Sequence, residues 1–189
     1  MRRLPLMRRL PLVLLALLVA GCGVAWAGWR ASLADPILRR ATLGLDGWPK
    51  GARPVRIALL ADIHLGNAST DPARLVRILD RVQAAAPDMV VIAGDFVAGY
   101  ARAEARRQAP GLTAGLSRLH APLGVVAVLG NHDNWTDPLA ITQALVAAGV
   151  TVVENGAVRR GPLLVGGSGD TVSGHAKLGG TLLALRRLE

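Results

Sequence analysis

The sequence predicts an α/β fold in which a largely parallel sheet follows one N-terminal apolar helix. Three observations predict it. Residues 10–29 carry no charge, short apolar runs recur after residue 55, and segments with helical spacing separate those runs. Strands that alternate with helices form parallel sheets, because each helix returns the chain to the edge where the previous strand began.

Five short apolar runs are predicted as strands. Turn-forming, charged or proline residues bound most of them, which is typical of strands in an α/β domain. The first run is predicted to be a buried strand. In chain order the runs are VRIALLA at 55–61, MVVIAG at 89–94, GVVAVLG at 124–130, VTVVE at 150–154 and PLLVG at 162–166.

Helices are predicted between the strands from their start signals and spacing. Asp71 and Asp137 each precede a proline, which pairs an N-cap residue with a proline in the first turn. Pro87 is expected to end the first of these helices. The predicted helices cover residues 71–86, 101–119, 137–148 and 178–188.

Positive charge is concentrated in the N-terminal part of the chain. The net charge is +9, but residues 1–56 hold 10 of the 22 Lys and Arg and only 2 of the 13 Asp and Glu. The rest of the chain is therefore almost neutral, and aromatic residues make up only 3% of the sequence. No nucleic-acid partner is expected from such a surface. The single Cys22 excludes an intrachain disulfide and a multi-cysteine zinc site.

The N-terminal segment has the length and polarity of a membrane span. Four arginines precede Leu10, and the 20 uncharged residues up to Trp29 would span about 30 Å as a helix. Basic residues before the span favour a cytoplasmic N-terminus. We expect an anchor in a bacterial cytoplasmic membrane, with the domain on the extracytoplasmic side. A cleaved signal peptide and a lipoprotein modified at Cys22 stay open as alternatives.

These patterns divide the chain into three parts. Residues 1–30 are predicted to be the membrane anchor or signal segment. Residues 31–54, which contain three prolines and three glycines, are predicted to be a linker. Residues 55–189 are predicted to form the α/β domain.

Polar side chains follow each of the first three predicted strands. Asp62 and His64 follow the first, Asp95 the second, and Asn131 and His132 the third, in what is predicted to be a loop. The carboxyl ends of parallel strands meet at one edge of a sheet, where α/β proteins build their sites. Residues two apart on extended backbone point the same way, so Asp62 and His64 are expected to bind one ion. A mixed oxygen and nitrogen ligand set suits Mn, Fe or Zn.

Three motifs carry a family resemblance: D-x-H at 62–64, G-D at 94–95 and G-N-H-D at 130–133. With this order and placement the chain resembles the calcineurin-like metallophosphoesterase superfamily, including membrane-attached bacterial members. The resemblance implies half of a four-layer α/β/β/α sandwich over residues 55–189. It also implies two divalent metal ions and hydrolysis of a phosphodiester or pyrophosphate bond, in which hydroxide generated at the metals attacks phosphorus.

The resemblance also implies roles for individual residues. Asp62 and His64 would bind the first metal, Asp95 would bridge both metals, and Asn131 would bind the second. His132 would face the substrate, stabilising the transition state or protonating the leaving oxygen. Each residue also has a structural interpretation, as a cap, a turn former or a surface histidine.

The sequence departs from the family pattern in two places. The family has two further histidine blocks, and this chain offers only SGHAKLGG, in which Lys177 replaces the second histidine. His175 is therefore not expected to be a ligand, and His120 is expected to be structural or exposed. Ala98 stands where many relatives carry an aspartate that orients the catalytic histidine, and Asp133 is expected to point away.

The simplest account of the missing blocks is a chain truncated at its C-terminus. Little or no phosphoesterase activity is then expected from this chain alone. The substrate is expected to be a phosphoester, lipid- or nucleotide-linked, and the membrane the other partner. The alternative is a non-catalytic binding or scaffold module of the same fold, which need bind no metal.

Overall fold

The computed structural model describes residues 6–189 of the chain. The predicted cytoplasmic residues Arg2 and Arg3 lie outside the described residues. The chain divides into two compact units, one up to Leu38 and one from Arg39 to Glu189.

The first unit consists mainly of one long helix, α1 (Leu6–Ser32). Its segment Arg9–Ser32 is long and apolar enough to cross a membrane, and none of its most apolar stretch is buried within the protein. The predicted apolar helix is confirmed, and it continues a few residues past Trp29. Residues 33–56 that follow contain turns but neither helix nor strand.

The second unit is built on a four-stranded parallel sheet. Its strands are β1 (Ile57–Leu60), β2 (Met89–Ala93), β3 (Val125–Val128) and β4 (Thr151–Val152). They lie side by side in chain order, and every neighbouring pair is parallel. The predicted α/β architecture is confirmed, although the strands are shorter than their apolar runs.

Three helices cover one face of this sheet. They are α2 (Pro72–Ala84), α3 (Arg102–Leu116) and α5 (Pro138–Ala147). Crossovers of one hand between successive neighbouring strands place all their helices on the same side. The main core lies between them, with Leu79, Leu112 and Leu145 packed in one cluster with Ile92 and Ala127 of the sheet.

The predicted helix starts are confirmed by their caps. The Asp71 side chain accepts a hydrogen bond from Arg74 N, and the Asp137 side chain accepts one from Ala140 N. Each cap satisfies a backbone donor that has no partner within the helix. Asp137 also accepts from Arg106 Nε at 2.8 Å, and this bond holds the pKa of its carboxyl below the usual value.

The opposite face is covered by an antiparallel hairpin of β5 (Gly156–Arg160) and β6 (Leu163–Gly167). Val158, Leu163 and Val165 of the hairpin pack against a second core cluster on the sheet. The last helix, α6 (Leu178–Arg186), contacts both hairpin strands, and Thr181 Oγ1 donates to Gly167 O. The domain therefore has four layers in the order α/β/β/α, with two strands in the second sheet.

The sequence did not predict β5, and it predicted too much burial for β1. The run GAVRR of β5 is short and ends in two arginines, so it lacks an apolar signal. In β1, Ala58 and Leu60 pack toward the helices, but Leu59 is 71% exposed. The prediction of a buried β1 is wrong on that face, because the core cluster under the hairpin draws on β2 and β3 rather than β1.

Candidate metal centre

The loops after β1, β2 and β3 bring three of the predicted site residues together. The candidate ligand atoms of His64, Asp95 and His132 all lie within 4.8 Å of one another. His64 Nε2 is 3.5 Å from Asp95 Oδ2 and 3.9 Å from Asp62 Oδ1. The His64 and His132 rings meet edge to face, with centroids 4.8 Å apart. We call His64, Asp95 and His132 the central triad.

The backbone that presents these groups is not extended. Asp62, His64 and Asp95 have φ angles of 54°, 46° and 54°, in the left-handed region that residues other than glycine rarely adopt. The expectation of extended backbone at residues 62–64 is therefore wrong. Parallel pairing continues past the strand ends, with Asp62 N donating to Gly94 O and His64 N to Asp95 O. Such strained conformations are typical of functional sites.

Two glycines allow the loops after β2 and β3 to approach each other closely. A Cβ on Gly94 would lie 2.5 Å from Gly130 N, and a Cβ on Gly130 would collide with Asp95. Gly94 also has a φ of 73°, which favours glycine. The two glycines therefore determine how near Asp95 lies to the segment that carries His132.

That segment is a short helix rather than the predicted loop. Helix α4 (Asn131–Trp135) begins directly after its N-cap, Gly130. His132 N, in its first turn, donates to Asp95 Oδ1 at 3.0 Å. The N–H groups of the first turn of a helix have no acceptor within the helix. Here the Asp95 carboxylate accepts the hydrogen bond from one of them. Asn131 is the first residue of the helix and is half-buried.

The Asp133 side chain is buried and has a structural role that the sequence did not predict. Its Oδ1 accepts from Phe96 N at 2.9 Å and from Val97 N at 3.3 Å, and its Oδ2 accepts from Gly130 N at 2.9 Å. Burial raises the pKa of this carboxyl to about 6. Asp133 thus joins the loop after β2 to the start of α4.

Replacing Asp133 with asparagine is expected to lower the free energy of unfolding by about 1–3 kcal/mol, the usual cost of leaving a buried donor without an acceptor. An amide accepts at one oxygen only, and its NH₂ group would face a backbone N–H. Urea unfolding followed by circular dichroism measures the change. Asp71→Asn is the matched control, because asparagine caps helices about as well as aspartate. Equal stability of the Asp133 variant and the wild type would contradict this role.

The orientation of His132 is set by a backbone carbonyl. His132 Nδ1 lies 3.0 Å from Gly99 O. A carbonyl can only accept, so Nδ1 carries the proton and Nε2 is left with its lone pair. The Gly99 carbonyl, next to Ala98, thus makes a contact for which the family resemblance implied an aspartate.

Glu104 holds the turn that presents this carbonyl. Its Oε2 accepts from Tyr100 N at 2.8 Å and from Ala101 N at 2.9 Å. These backbone hydrogen bonds hold the pKa of Glu104 below the usual value. Gly99 has a φ of 113° and no room for a Cβ beside the Glu104 carboxylate. Only the glutamate at position three of a helix start signals this arrangement in the sequence.

Replacing Glu104 with alanine is expected to release the Gly99 turn and change the dominant tautomer of His132. Long-range ¹H–¹⁵N spectra of the neutral ring should show Nδ1–H in the wild type and a majority of Nε2–H in the variant. Glu104→Gln keeps an oxygen acceptor and should retain the wild-type tautomer. An unchanged tautomer in Glu104→Ala would show that Glu104 does not position His132.

The two other histidines of the chain lie outside the central triad. His120 lies in the turn before β3, where its backbone N donates to Gln83 Oε1 at 2.9 Å. His175 is exposed, with Nδ1 3.0 Å from Ser173 Oγ. Ser173 Oγ in turn accepts from Asn134 Nδ2 of α4 at 3.2 Å.

The donor set of the central triad fits a divalent metal ion. It offers imidazole nitrogen and carboxylate oxygen, a combination suited to Zn²⁺, Mn²⁺ or Fe²⁺. The Asp95 side chain is only 12% exposed, and an anion buried to that extent is stabilised by a cation beside it. The exposed Asp62 carboxylate, beside His64, is available to the same ion.

The fold and this geometry agree with the comparison to known proteins. The family model for calcineurin-like phosphoesterases matches residues 55–183. The chain therefore belongs to the calcineurin-like phosphoesterase family, whose members use divalent metals. The family resemblance predicted from the three motifs is confirmed.

Individual relatives share the domain but are much longer proteins. The chain is 35% identical over 121 residues to the Caenorhabditis elegans protein F40B5.2, covering 64% of this chain and 24% of that one. It is 36% identical over 124 residues to the UDP-2,3-diacylglucosamine pyrophosphatase LpxG of Chlamydia trachomatis, covering 65% and 36%. A "Transmembrane protein with metallophosphoesterase domain" of Danio rerio is 33% identical over 88 residues, covering 47% and 19%. The matches thus span about a fifth to a third of these relatives.

Proposed function

We propose that the protein is a membrane-anchored, metal-dependent phosphoester hydrolase. The observation that carries the proposal is the central triad, in which two imidazoles and a buried carboxylate come within 4.8 Å at the carboxyl edge of the sheet. Their convergence from three separate loops is the arrangement by which α/β folds build active sites. The other residues of the proposal are assigned around this group.

The proposed ligands divide between two metal positions. Asp62, His64 and Asp95 would hold the first ion, and Asp95 and Asn131 would hold the second. Two such ions, when bound, would activate water and neutralise the charge on a phosphoryl group. The hydrogen bond from His132 N to Asp95 Oδ1 holds the shared carboxylate in place, a supporting role that commonly affects metal affinity.

His132 is the proposed catalytic residue. Its Nδ1 is bound to Gly99 O, so Nε2 is the nitrogen available to a substrate. When the ring carries a second proton, at Nε2, it can donate to a phosphoryl oxygen or give that proton to the leaving oxygen. The fixed ring orientation reduces the reorganisation that this step requires.

The proposed substrate is a phosphodiester or a pyrophosphate that is lipid- or nucleotide-linked. The name of the Chlamydia relative describes a pyrophosphatase acting on UDP-2,3-diacylglucosamine. That compound is linked to both a lipid and a nucleotide. The apolar helix Arg9–Ser32 supports a substrate that is met at a bilayer. We propose that the helix lies in a bacterial cytoplasmic membrane and that the domain lies on its extracytoplasmic side. Residues 31–54 would form the linker between them.

The second metal position has few ligands within this chain, so turnover is proposed to be slow. The sequence has four histidines, and two of them belong to the central triad. With only Asp95 and Asn131 as ligands, most coordination positions of the second metal would be filled by water. We therefore expect weak metal binding at the second position and a low rate.

The test is metal content and hydrolysis measured on the same full-length chain in detergent. We expect at least one Mn²⁺ or Zn²⁺ per chain by equilibrium dialysis. Hydrolysis of bis(p-nitrophenyl) phosphate should be slow, removed by a chelator and absent in His132→Ala. A chain that binds no metal under these conditions would contradict the proposal and favour the scaffold alternative.

A further inference from the structure

Two exposed aromatic side chains lie beside the central triad. Residues 55–189 contain three aromatic residues, Phe96, Tyr100 and Trp135. Phe96 is fully buried in the core, whereas Tyr100 is 72% and Trp135 43% exposed. The domain therefore places both of its exposed aromatic rings at one location, although Tyr100 lies in the loop before α3 and Trp135 at the end of α4.

The two rings stack on each other, and the ring of the proposed catalytic histidine contacts both at steep angles of 50° and 63°. The Tyr100 and Trp135 centroids are 5.8 Å apart, with an angle of 23° between the planes. The His132 ring lies 5.0 Å from Tyr100 and 5.4 Å from Trp135. We call Tyr100 and Trp135 the aromatic rim. It adjoins the site at His132.

The rim is held in position by the backbone on both sides. Tyr100 N donates to Glu104, in the turn that also presents Gly99 O to His132. Trp135 is the last residue of α4, whose first turn is bonded to Asp95. The distance between the rim and the central triad is therefore fixed by the same contacts that position the site.

We propose that the aromatic rim binds a planar ring carried by the phosphoester substrate, either a nucleobase or an aryl group. This inference rests on the proposed function, because the phosphoryl group must lie at the central triad for its substituent to reach the rim. A substituent of the phosphoryl group that extends past His132 would reach these rings, because their centroids lie 5.0 and 5.4 Å from the His132 ring. Stacking of a base on an aromatic side chain typically strengthens binding by about fivefold or more, and it accepts any flat ring.

The test compares phosphate monoesters with and without a planar ring. Binding of AMP, phenyl phosphate and ribose 5-phosphate to the full-length chain in detergent with Mn²⁺ is measured by calorimetry. We expect AMP to bind about tenfold or more tightly than ribose 5-phosphate. Phenyl phosphate matching AMP would identify an aryl site, and a clear preference for AMP a nucleobase site.

Variants assign the difference to the rim. In the double variant Tyr100→Ala, Trp135→Ala the ratio of AMP to ribose 5-phosphate affinity should fall to about one, with ribose 5-phosphate binding unchanged. Trp135→Phe keeps a flat ring and should keep most of the ratio. Leu139→Ala removes an apolar side chain that is 66% exposed on the neighbouring helix and should change nothing.

The outcomes separate this inference from the proposed function. A ratio near one in the wild type, or an unchanged ratio in the double variant, would overturn the rim while metal-dependent binding of ribose 5-phosphate still supported the hydrolase. If no phosphorylated probe bound with Mn²⁺ present, the proposed function and the inference would both be overturned.

Discussion

Replacing Asp95 with asparagine is expected to weaken divalent-metal binding by at least about 100-fold and to abolish any metal-dependent hydrolysis. Asp95 is the carboxylate of the central triad, and its Oδ2 lies 3.5 Å from His64 Nε2. Loss of groups that only support a metal ligand already costs about 10–100-fold in affinity. Asparagine removes the negative charge while keeping an oxygen that can accept from His132 N. Equilibrium dialysis with Mn²⁺ or Zn²⁺ measures the change.

A matched control isolates the charge at this position. Asp80 lies on α2, is half exposed and pairs with Arg118 at 2.9 Å, so it belongs to none of the loops that carry the site. Asp80→Asn removes one carboxylate charge from the same domain and should leave metal binding unchanged. If Asp95→Asn bound metal as tightly as Asp80→Asn, the central triad would not be the metal site.

The sequence allowed the sheet and its site edge to be predicted because both have local signals. Apolar runs mark the strands, and Asp71 and Asp137 mark helix starts whose caps the structure contains. The closeness of His64, Asp95 and His132 to one another follows from the topology alone, because the carboxyl ends of parallel strands share one edge of the sheet.

The parts that could not be predicted depend on backbone geometry and on contacts distant in sequence. The left-handed conformations of Asp62, His64 and Asp95 follow from loop closure at the sheet edge, and no residue type demands them. The contact of Gly99 O with His132 Nδ1 involves a carbonyl, which every residue possesses. A backbone acceptor leaves no trace in the sequence, so Ala98 suggested a missing support where the structure has one.

The glycines of the site are a case in which sequence and structure together give a sharp prediction. Gly94 precedes Asp95 and has a φ of 73°. A Cβ there would lie 2.5 Å from Gly130 N and 2.6 Å from Gly130 Cα. Both contacts are to backbone, so no side-chain rotation can relieve them. The fit of the two loops therefore depends on this position having no side chain.

Gly94→Ala is accordingly expected to lower the free energy of unfolding by about 2–5 kcal/mol. Alanine in the left-handed region costs about 1–2 kcal/mol, and overpacking against backbone adds about 1–3 kcal/mol. Gly149→Ala is the matched control. Gly149 has a similar φ of 81°, but nothing lies within 4 Å of an added Cβ, so only the conformational cost of about 1–2 kcal/mol applies.

The comparison of these two variants separates strain from close approach. Urea unfolding of both gives the difference, which we expect to be at least about 1 kcal/mol, the lower end of the overpacking cost. Metal binding should follow the same order, because a shift of the loop after β2 moves Asp95 relative to His132. If Gly94→Ala were no less stable than Gly149→Ala, the close contact of the two loops would be absent in solution. The geometry of the central triad, which depends on that contact, would then require revision.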